Sequence, residues 1–454
     1  MRLGLLGAFL GLLAAPAVKA PAPKPRPPVV VLSIDGLSPD YVLAADRYGL
    51  KIPELRRLLA EGAHASAVEG VLPTVTYPSH TTLVTGVSPA KHGIYYNNTF
   101  DPLARNLDGW YWYAEDLRVP TLWDAAGKAG LVTASVDWPV TVGANITYRI
   151  VQYWRTDIPD APDDAKLARV LSTPGLLDEA ERAVGRYPSG YAYDVAADTR
   201  RAAFSEWLLE TKRPALHLAY FSGLDEELHE SGPGSPKTLA AIERLDALVG
   251  RVRAAALRSG GGRAVFAVAS DHGHARTDRE LRLNEALRQA GLILLDGRGK
   301  PTDWKAIAWG SGGSSAIMLK DPHDEDTRRR VAAVLERVGA LPGSPIERVL
   351  DPAEARAAGG FPDAAFVVAV KSDFSISDRM EEPLVGPTLP VGEHGHLPGN
   401  RAMDAVFLVV GPGVPAGRDL GRIDMRDVAP TLAELLGVPL PQAEGHSVFA
   451  AAPR

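Results

Sequence analysis

The sequence predicts an α/β fold: a mostly parallel sheet covered by helices on both faces, with a small α/β insertion in its later part. Three observations carry that expectation. Short runs of apolar, often β-branched residues alternate with amphipathic stretches of helical period, as expected for buried strands joined by crossover helices. Several of these runs end abruptly in an acidic residue or an acid–histidine pair. The chain has 454 residues, 46% of them hydrophobic, enough to bury a large sheet.

In chain order, VVVLSI (29–34) reads as the first strand and IPELRRLLAEG (52–62) as a helix. Helical TLWDAAGKAG (121–130) precedes extended LVTASV (131–136). A helix around Ala196–Thr211 leads into ALHLAYF (215–221), and KTLAAIERLDALVGRVRAAAL (237–257) leads into AVFAVAS (264–270). AVFLVV (405–410) and the helical MRDVAPTLAELLG (425–437) follow. Residues 139–195 contain many Pro, Asp and Tyr and read as loops or a partial cap. The insertion, 282–390, holds β-like GGSSAIMLK, the charged helix DEDTRRRVAAVLERVG and β-like AAFVVAV.

Ahead of the fold, Met1-Arg2, an apolar stretch from Leu3 to Ala15 and small residues thereafter have the pattern of a cleaved signal peptide over residues 1–20. The stretch is short for a bilayer span, and no later segment offers one. The mature protein is therefore expected to be secreted, in the periplasm, without a membrane span. PAPKPRPP (21–28) is a stiff linker, and 29–454 forms one catalytic domain. Loss of Arg2 and Lys19 with the signal leaves 47 basic and 55 acidic side chains, a charge of −8. That balance argues against a stable nucleic-acid complex. Cysteine is absent, so disulfides and thiolate ligands are excluded.

Six positions read together as a metal centre. VVVLSI ends in Asp35, HLAYFSGL is followed by Asp225 with His229 four residues on, AVFAVAS runs into Asp271-His272, and His394 comes later. In an open α/β sheet, ligands collect outside the carboxyl ends of strands, so these side chains can converge on one rim. Histidine nitrogen with carboxylate oxygen suits zinc or another first-row divalent ion. Each motif alone has a plainer reading: turns at Asp35-Gly36 and Asp271-His272-Gly273, and a solvated helix pair for Asp225 and His229. In LPTVTYPSHTTLVTG (72–86), Pro78 fits the first turn of a helix beginning near Tyr77, which puts Thr76 at an anion-attracting helix N-terminus. A lone threonine there would more simply be a cap; beside a divalent cation, its hydroxyl can become a nucleophile.

The ordered series SIDG (33–36), PTVTYPSHTTLVTG (73–86), SPAKHGIYYN (88–97), WP (138–139), DEELHESGP (225–233), SDHG (270–273) and GEHGH (392–396) resembles the nucleotide pyrophosphatase/phosphodiesterase family of the alkaline phosphatase superfamily. The resemblance implies an alkaline-phosphatase-like fold and two zinc ions. Asp225, His229 and His394 would hold one. Asp35, Asp271 and His272 would hold the other, with Thr76 coordinated to it as nucleophile and a phosphothreonine intermediate. Asn97 would hydrogen-bond a non-bridging phosphate oxygen. Tyr77 and Tyr220 match aromatic positions that pack against a nucleobase, although Tyr220, inside an apolar strand, also fits a core role. His394 is preferred to His396 as ligand. His80, His92 and His274 are expected to make structural or orienting hydrogen bonds. The loop YYNNTFDPLARNLDGWYWY (95–113) could wall the cleft or pack beneath the insertion.

The implied substrate is a small phosphodiester or nucleotide. The alternatives are a phosphomonoesterase or phosphonate hydrolase on the same scaffold, with Arg149 as the added cation, and a non-catalytic metal- or solute-binding envelope protein. The absence of cysteine, the residue from which a modified nucleophile is formed, disfavours a sulfatase.

Overall fold

The computed structural model describes residues 27–106, 109–156, 158, 161–389 and 391–450. The expected signal peptide and all but the last two residues of the expected linker lie outside them.

An eight-stranded mixed sheet forms the centre. Its strands are β1 (Val29–Ile34), β2 (Ala63–His64), β3 (Thr133–Val136), β4 (Tyr148–Ile150), β5 (Leu216–Phe221), β6 (Val265–Ala269), β7 (Phe407–Val410) and β8 (Arg418–Asp419). Their order across the sheet is β8-β2-β7-β6-β1-β5-β3-β4. Strands β6, β1, β5, β3 and β4 are mutually parallel, while β7 runs antiparallel to both β6 and β2. Alternation along β1 divides the core, since successive side chains point to opposite faces. Val30, Leu32 and Ile34 pack on one side with Leu55, Leu209, Leu245 and Val249. Val29 and Val31 pack on the other with Leu83, Leu122, Trp138 and Leu432.

The helices flanking the site are α1 (Thr76–Thr85), α2 (Val195–Lys212), α3 (Gly223–Ser231) and α4 (Pro236–Ser259). Two have side-chain caps: Asp194 accepts from Ala197 N at the start of α2, and Ser235 from Thr238 N at the start of α4. The insertion forms a second sheet, all antiparallel, in the order Ala306–Trp309, Ser314–Leu319, Phe366–Val370, Ile346–Leu350. Val331, Val334 and Leu335 of the helix Glu325–Gly339 share its core with Ile317 and Val368. The 139–195 stretch is more ordered than its composition implies: it supplies edge strand β4 and the helices Asp164–Leu171 and Leu176–Val184. No helix among the described residues is long and apolar enough to cross a membrane.

Candidate metal centre

Register alone brings the first two acids together. Strands β1 and β6 pair in parallel with Ser33 opposite Ala269, so Asp35 and Asp271, each two residues further on, leave the sheet side by side. The backbone N–H of Asp35 still bonds Phe221 O of β5 at 2.9 Å, which ties the turn to the strand on the other side. Gly36 turns with φ +72° and donates its N–H to Asp271 Oδ1 at 3.2 Å.

Beyond β5, Asp198 of α2 accepts from Ser222 N and Gly223 N at 3.1 and 2.8 Å, seating the start of α3. Arg201 neutralises it at 2.8 Å and reaches Asp137 at 2.6 Å, a buried network beneath the site. A Cβ on Gly223 would stand 2.5 Å from the backbone of Asp194 and Val195, so only glycine permits this approach. Four residues apart on α3, Asp225 and His229 share one helix face.

The two short strands Ala275–Arg276 and Gly392–Glu393 pair antiparallel, with Glu393 opposite Ala275. Their continuation brings His394 towards the SDHGH segment. His394 Nδ1 donates to Thr74 O at 3.2 Å and His229 Nδ1 donates to Gly392 O at 2.9 Å. Both rings are thereby fixed with Nε2 turned inward, the usual orientation of a ligating histidine. His396 donates from Nε2 to Phe374 O at 3.1 Å instead, so of the two it is His394 that joins the centre.

Two groups of ligand atoms result: Asp225, His229, His274 and His394, and Asp35, Asp225 and His272. Asp225 belongs to both, and Asp271 Oδ2 lies 3.2 Å from His272 Nε2. Thr76, the first residue of α1, brings Oγ1 to 3.4 Å from the same nitrogen. The remaining separations are 3.5 Å for His229–Asp225, 3.5 Å for His272–Asp35, 3.9 Å for His394–Asp225 and 3.0 Å for His274–Asp225. Zinc–ligand bonds of about 2.0–2.1 Å set the edges of a tetrahedron at about 3.3–3.4 Å, so these spacings suit a divalent ion. Asp35 Oδ1 and Asp271 Oδ2 are buried without hydrogen-bond partners, which is costly unless a cation meets them.

Electrostatics agree. Burial, then repulsion from Asp225, raises Asp35 well above the usual carboxylate range and Asp271 to about 8. Burial also opposes ionisation of Asp225, but His229, His274 and His394 more than offset it and hold that carboxyl low. His272 and His394 are kept neutral, chiefly by burial, leaving nitrogen lone pairs available to a metal.

Asn97 is half-buried and its side-chain oxygen accepts from Tyr77 N at 2.9 Å. That bond occupies the oxygen and leaves the NH2 group as a donor beside the start of α1. Tyr77 and Tyr220 correct the expectation of a stacking platform, because both are 0% exposed. Tyr77 donates to Gln152 Oε1 at 2.5 Å among Trp110 and Trp112, and Tyr220 donates to Asp35 Oδ2. Tyr220 lies inside buried β5 and thus orients the Asp35 carboxylate. The 95–113 loop divides its aromatics. Trp110 and Trp112 join Tyr77 and Trp154, while Phe100 packs on Trp304 and Trp309 of the insertion.

Arg149 is tied to the carbonyls of Ala144 and Leu171, so the cation considered for a monoester site is engaged elsewhere. His80 is structural, donating to Thr76 O at 2.8 Å with Ser33 Oγ 2.9 Å from its other nitrogen. His92 is likewise held by Ile94 N and Thr82. His274 lies against Asp225, its Nε2 3.0 Å from Oδ1, as an orienting histidine would, and falls in the same group of possible ligand atoms. Its signal was the His-x-His spacing of His272 and His274, which in extended chain returns to the same side.

A family model described as type I phosphodiesterase / nucleotide pyrophosphatase matches residues 29–395. An uncharacterized pyrophosphatase/phosphodiesterase of Schizosaccharomyces pombe is 28% identical over 230 residues, 49% of this chain and 40% of that protein. Ectonucleotide pyrophosphatase/phosphodiesterase family member 3 of Rattus norvegicus is 24% identical over 236 residues, 49% of this chain and 22% of the relative. The matched region thus spans less than half of either relative. Among solved structures, human ectonucleotide pyrophosphatase/phosphodiesterase 5 superposes with a TM-score of 0.65 at 20% identity, covering 92% of this chain and 96% of the other. Its murine counterpart, an inactive variant in complex with AMP, gives 0.64 at 21% identity over 92% and 96%. These structural likenesses establish the alkaline-phosphatase-like fold.

Proposed function

The chain belongs to the type I phosphodiesterase / nucleotide pyrophosphatase family, and from that premise we propose that it hydrolyses phosphodiester or pyrophosphate bonds of nucleotides through a phosphothreonine at Thr76, at a two-zinc centre. One observation carries the reading: Thr76 Oγ1, at a helix N-terminus, lies 3.4 Å from His272 Nε2 inside a buried group of three aspartates and four histidines.

Asp35, Asp271 and His272, with Thr76, would hold one ion, and Asp225, His229 and His394 the other. Zinc bound there would acidify the Thr76 hydroxyl and a water molecule, and neutralise charge on the phosphoryl oxygens and the leaving oxygen. Thr76 Oγ1 attacks phosphorus as the bond to the leaving oxygen breaks, in line with it. The α1 N-terminus and the Asn97 NH2 donate towards the non-bridging oxygens as charge develops on them. Water then attacks the phosphothreonine from the vacated side and returns the hydroxyl to Thr76. The AMP bound by the murine relative supports a nucleotide substrate. Arg149's engagement with backbone carbonyls favours the diester over the monoester, whose extra charge calls for an added cation. The signal-like residues 1–20 support export to the periplasm.

Zinc-loaded protein given a nucleotide diester and the matching monoester should turn over the diester with the higher kcat/KM. Mass analysis of the quenched reaction should find phosphoryl mass on the peptide containing Thr76. An adduct on Ser79 or Thr74 would reassign the nucleophile, and a preference for the monoester would leave only the metal-dependent phosphotransfer scaffold.

A further inference from the structure

We propose that the cavity between the 95–113 loop and the insertion receives the leaving group of the substrate, and that it selects aromatic or amine-bearing leaving alcohols over polyphosphate ones. The inference rests on the phosphodiesterase reading above and narrows its substrate class.

Position comes first. In-line attack by Thr76 sends the leaving oxygen to the opposite side, that of Asp225, His229 and His394. The insertion packs directly on His394: Gly313 N donates to His394 O at 2.7 Å, and a Cβ on Gly312 would stand 2.7 Å from the same oxygen. Only glycine lets the two backbones come so near. One residue before Gly312, Ser311 holds the Tyr96 hydroxyl, which donates to Ser311 O at 2.7 Å and accepts from Ser311 N at 2.9 Å. Ser311 and Tyr96 form one wall of a cavity of about 460 Å³. That wall is joined to Asn97 through Tyr96 and to His394 through Gly312, so the cavity adjoins the leaving side of the centre.

Its chemistry sets the selection. Phe100, Trp309 and Met380 line it with apolar surface, the two rings 5.3 Å apart between centroids. Asp101 and Asp378 also line it, and no Lys or Arg does among the described residues. Arg379, beside Asp378 in the chain, is turned to Glu280 at 3.2 Å, so Asp378 stands exposed without a counter-ion. Burial, with Glu393 and Asp378, pushes the Tyr96 hydroxyl up to about 12, which puts both carboxyls within electrostatic reach of the cavity wall. A pyrophosphate leaving group would meet carboxylates there with no cation between them, an arrangement that rejects like charge. An ammonium group meets the same carboxylates favourably and is also drawn to aromatic faces. A neutral aromatic alcohol gains the ring packing alone.

The experiment gives the whole zinc-loaded chain adenosine 5′-phosphate esters whose leaving phenols differ only at the para position: aminomethyl, methyl or phosphonomethyl. kcat/KM should fall in that order, with the aminomethyl ester at least about 10-fold above the phosphonomethyl ester at low salt, and the ratio should shrink as salt is raised. Asp378→Asn should narrow that ratio and Asp378→Lys should reverse it; comparing ratios across variants cancels the phenols' own reactivity. Trp309→Ala should lower turnover of the aminomethyl and methyl esters together. Asp378 is exposed, so its variants should melt with wild type, and they decide the case if Trp309→Ala does not fold. Equal rates for all the esters, a preference for the phosphonomethyl ester, or a ratio that Asp378→Lys leaves in place would overturn the inference while the proposed function stands. No turnover of any ester would sink the phosphodiesterase reading itself, and this inference with it.

Discussion

Asp35 and Asp271 hang from neighbouring strands of the central sheet, whereas His229, His274 and His394 reach the centre from a helix and a pair of two-residue strands outside it. The inner half is completed by His272 and Thr76, and all four side chains are 5% exposed or less. In the outer half, the His229 side chain is 24% exposed, and its setting depends on Asp198 beneath α3 and on the Gly392 carbonyl. One half is therefore set by the hydrogen-bond register of the core, the other by contacts between peripheral segments. The difference teaches that, under the proposed two-metal reading, Thr76 should keep its place when contacts of the outer half are loosened.

The largest expected effect tests that claim directly. Thr76→Ala should lower kcat on the order of 10⁴-fold or more, as loss of a nucleophile does, and abolish the phosphoryl adduct. Both ions should stay bound, because every other inward side chain of both halves remains. Loss of metal in that variant, measured by elemental analysis, would mean the inner half is less self-sufficient than its register implies.

Asn97→Ala is expected to reduce kcat/KM about 10²-fold for any diester, because in the proposed reaction its NH2 group, beside the start of α1, donates to the reacting phosphate. Metal content should not change. An effect confined to bulky nucleotide substrates would assign Asn97 to substrate binding beyond the phosphate.

Asp198→Asn should separate the halves. It removes the charge that pairs with Arg201 and slackens the seat of α3, so affinity for the outer ion should fall roughly 10–100-fold while the inner ion is retained. Breaking a buried ion pair should also cost about 3–5 kcal/mol in denaturant unfolding. Equal weakening of both ions would erase the proposed independence.

The smallest effect lies away from both halves. His217 on β5 is fully buried with neither ring nitrogen hydrogen-bonded, and burial pushes it down to about 3. A histidine held neutral contributes stability above its unfolded value of about 6.5, and that contribution is lost as pH falls towards 3. His217→Leu should therefore reduce the pH dependence of unfolding free energy of the metal-free protein by up to about 1.4 kcal/mol per pH unit below 6. An unchanged slope in denaturant melts at pH 7, 5.5 and 4.5 would show that this histidine is protonated in the fold.

Much of the inner half was legible in the chain. Apolar runs ending in Asp35 and Asp271 announce strand ends, and strand ends of a parallel sheet share one rim. The four-residue spacing of Asp225 and His229 likewise announces one helix face. Tyr77 and Tyr220 were less legible, because an aromatic residue next to a site has the same local pattern whether it faces a cleft or fills the core. Residues 139–195 read as loops or a partial cap for a related reason: β4 has three residues and pairs only along one edge, too short to leave a period.

By itself, the sequence determined the alternation of strands and helices, the chemistry of the inward side chains and the helix start at Thr76. These are local: periodicity, strand termination and the φ of proline act within a few residues. Only the tertiary structure decided that Asp225 belongs to both groups of possible ligand atoms, and that His396 spends Nε2 on Phe374 O while His274 lies against Asp225. Those outcomes depend on separations of a few ångströms between segments far apart in the chain. Strand order, the pairing of two short strands and a glycine-sized gap at Gly36 set those separations, and none of them leaves a mark on the neighbouring sequence.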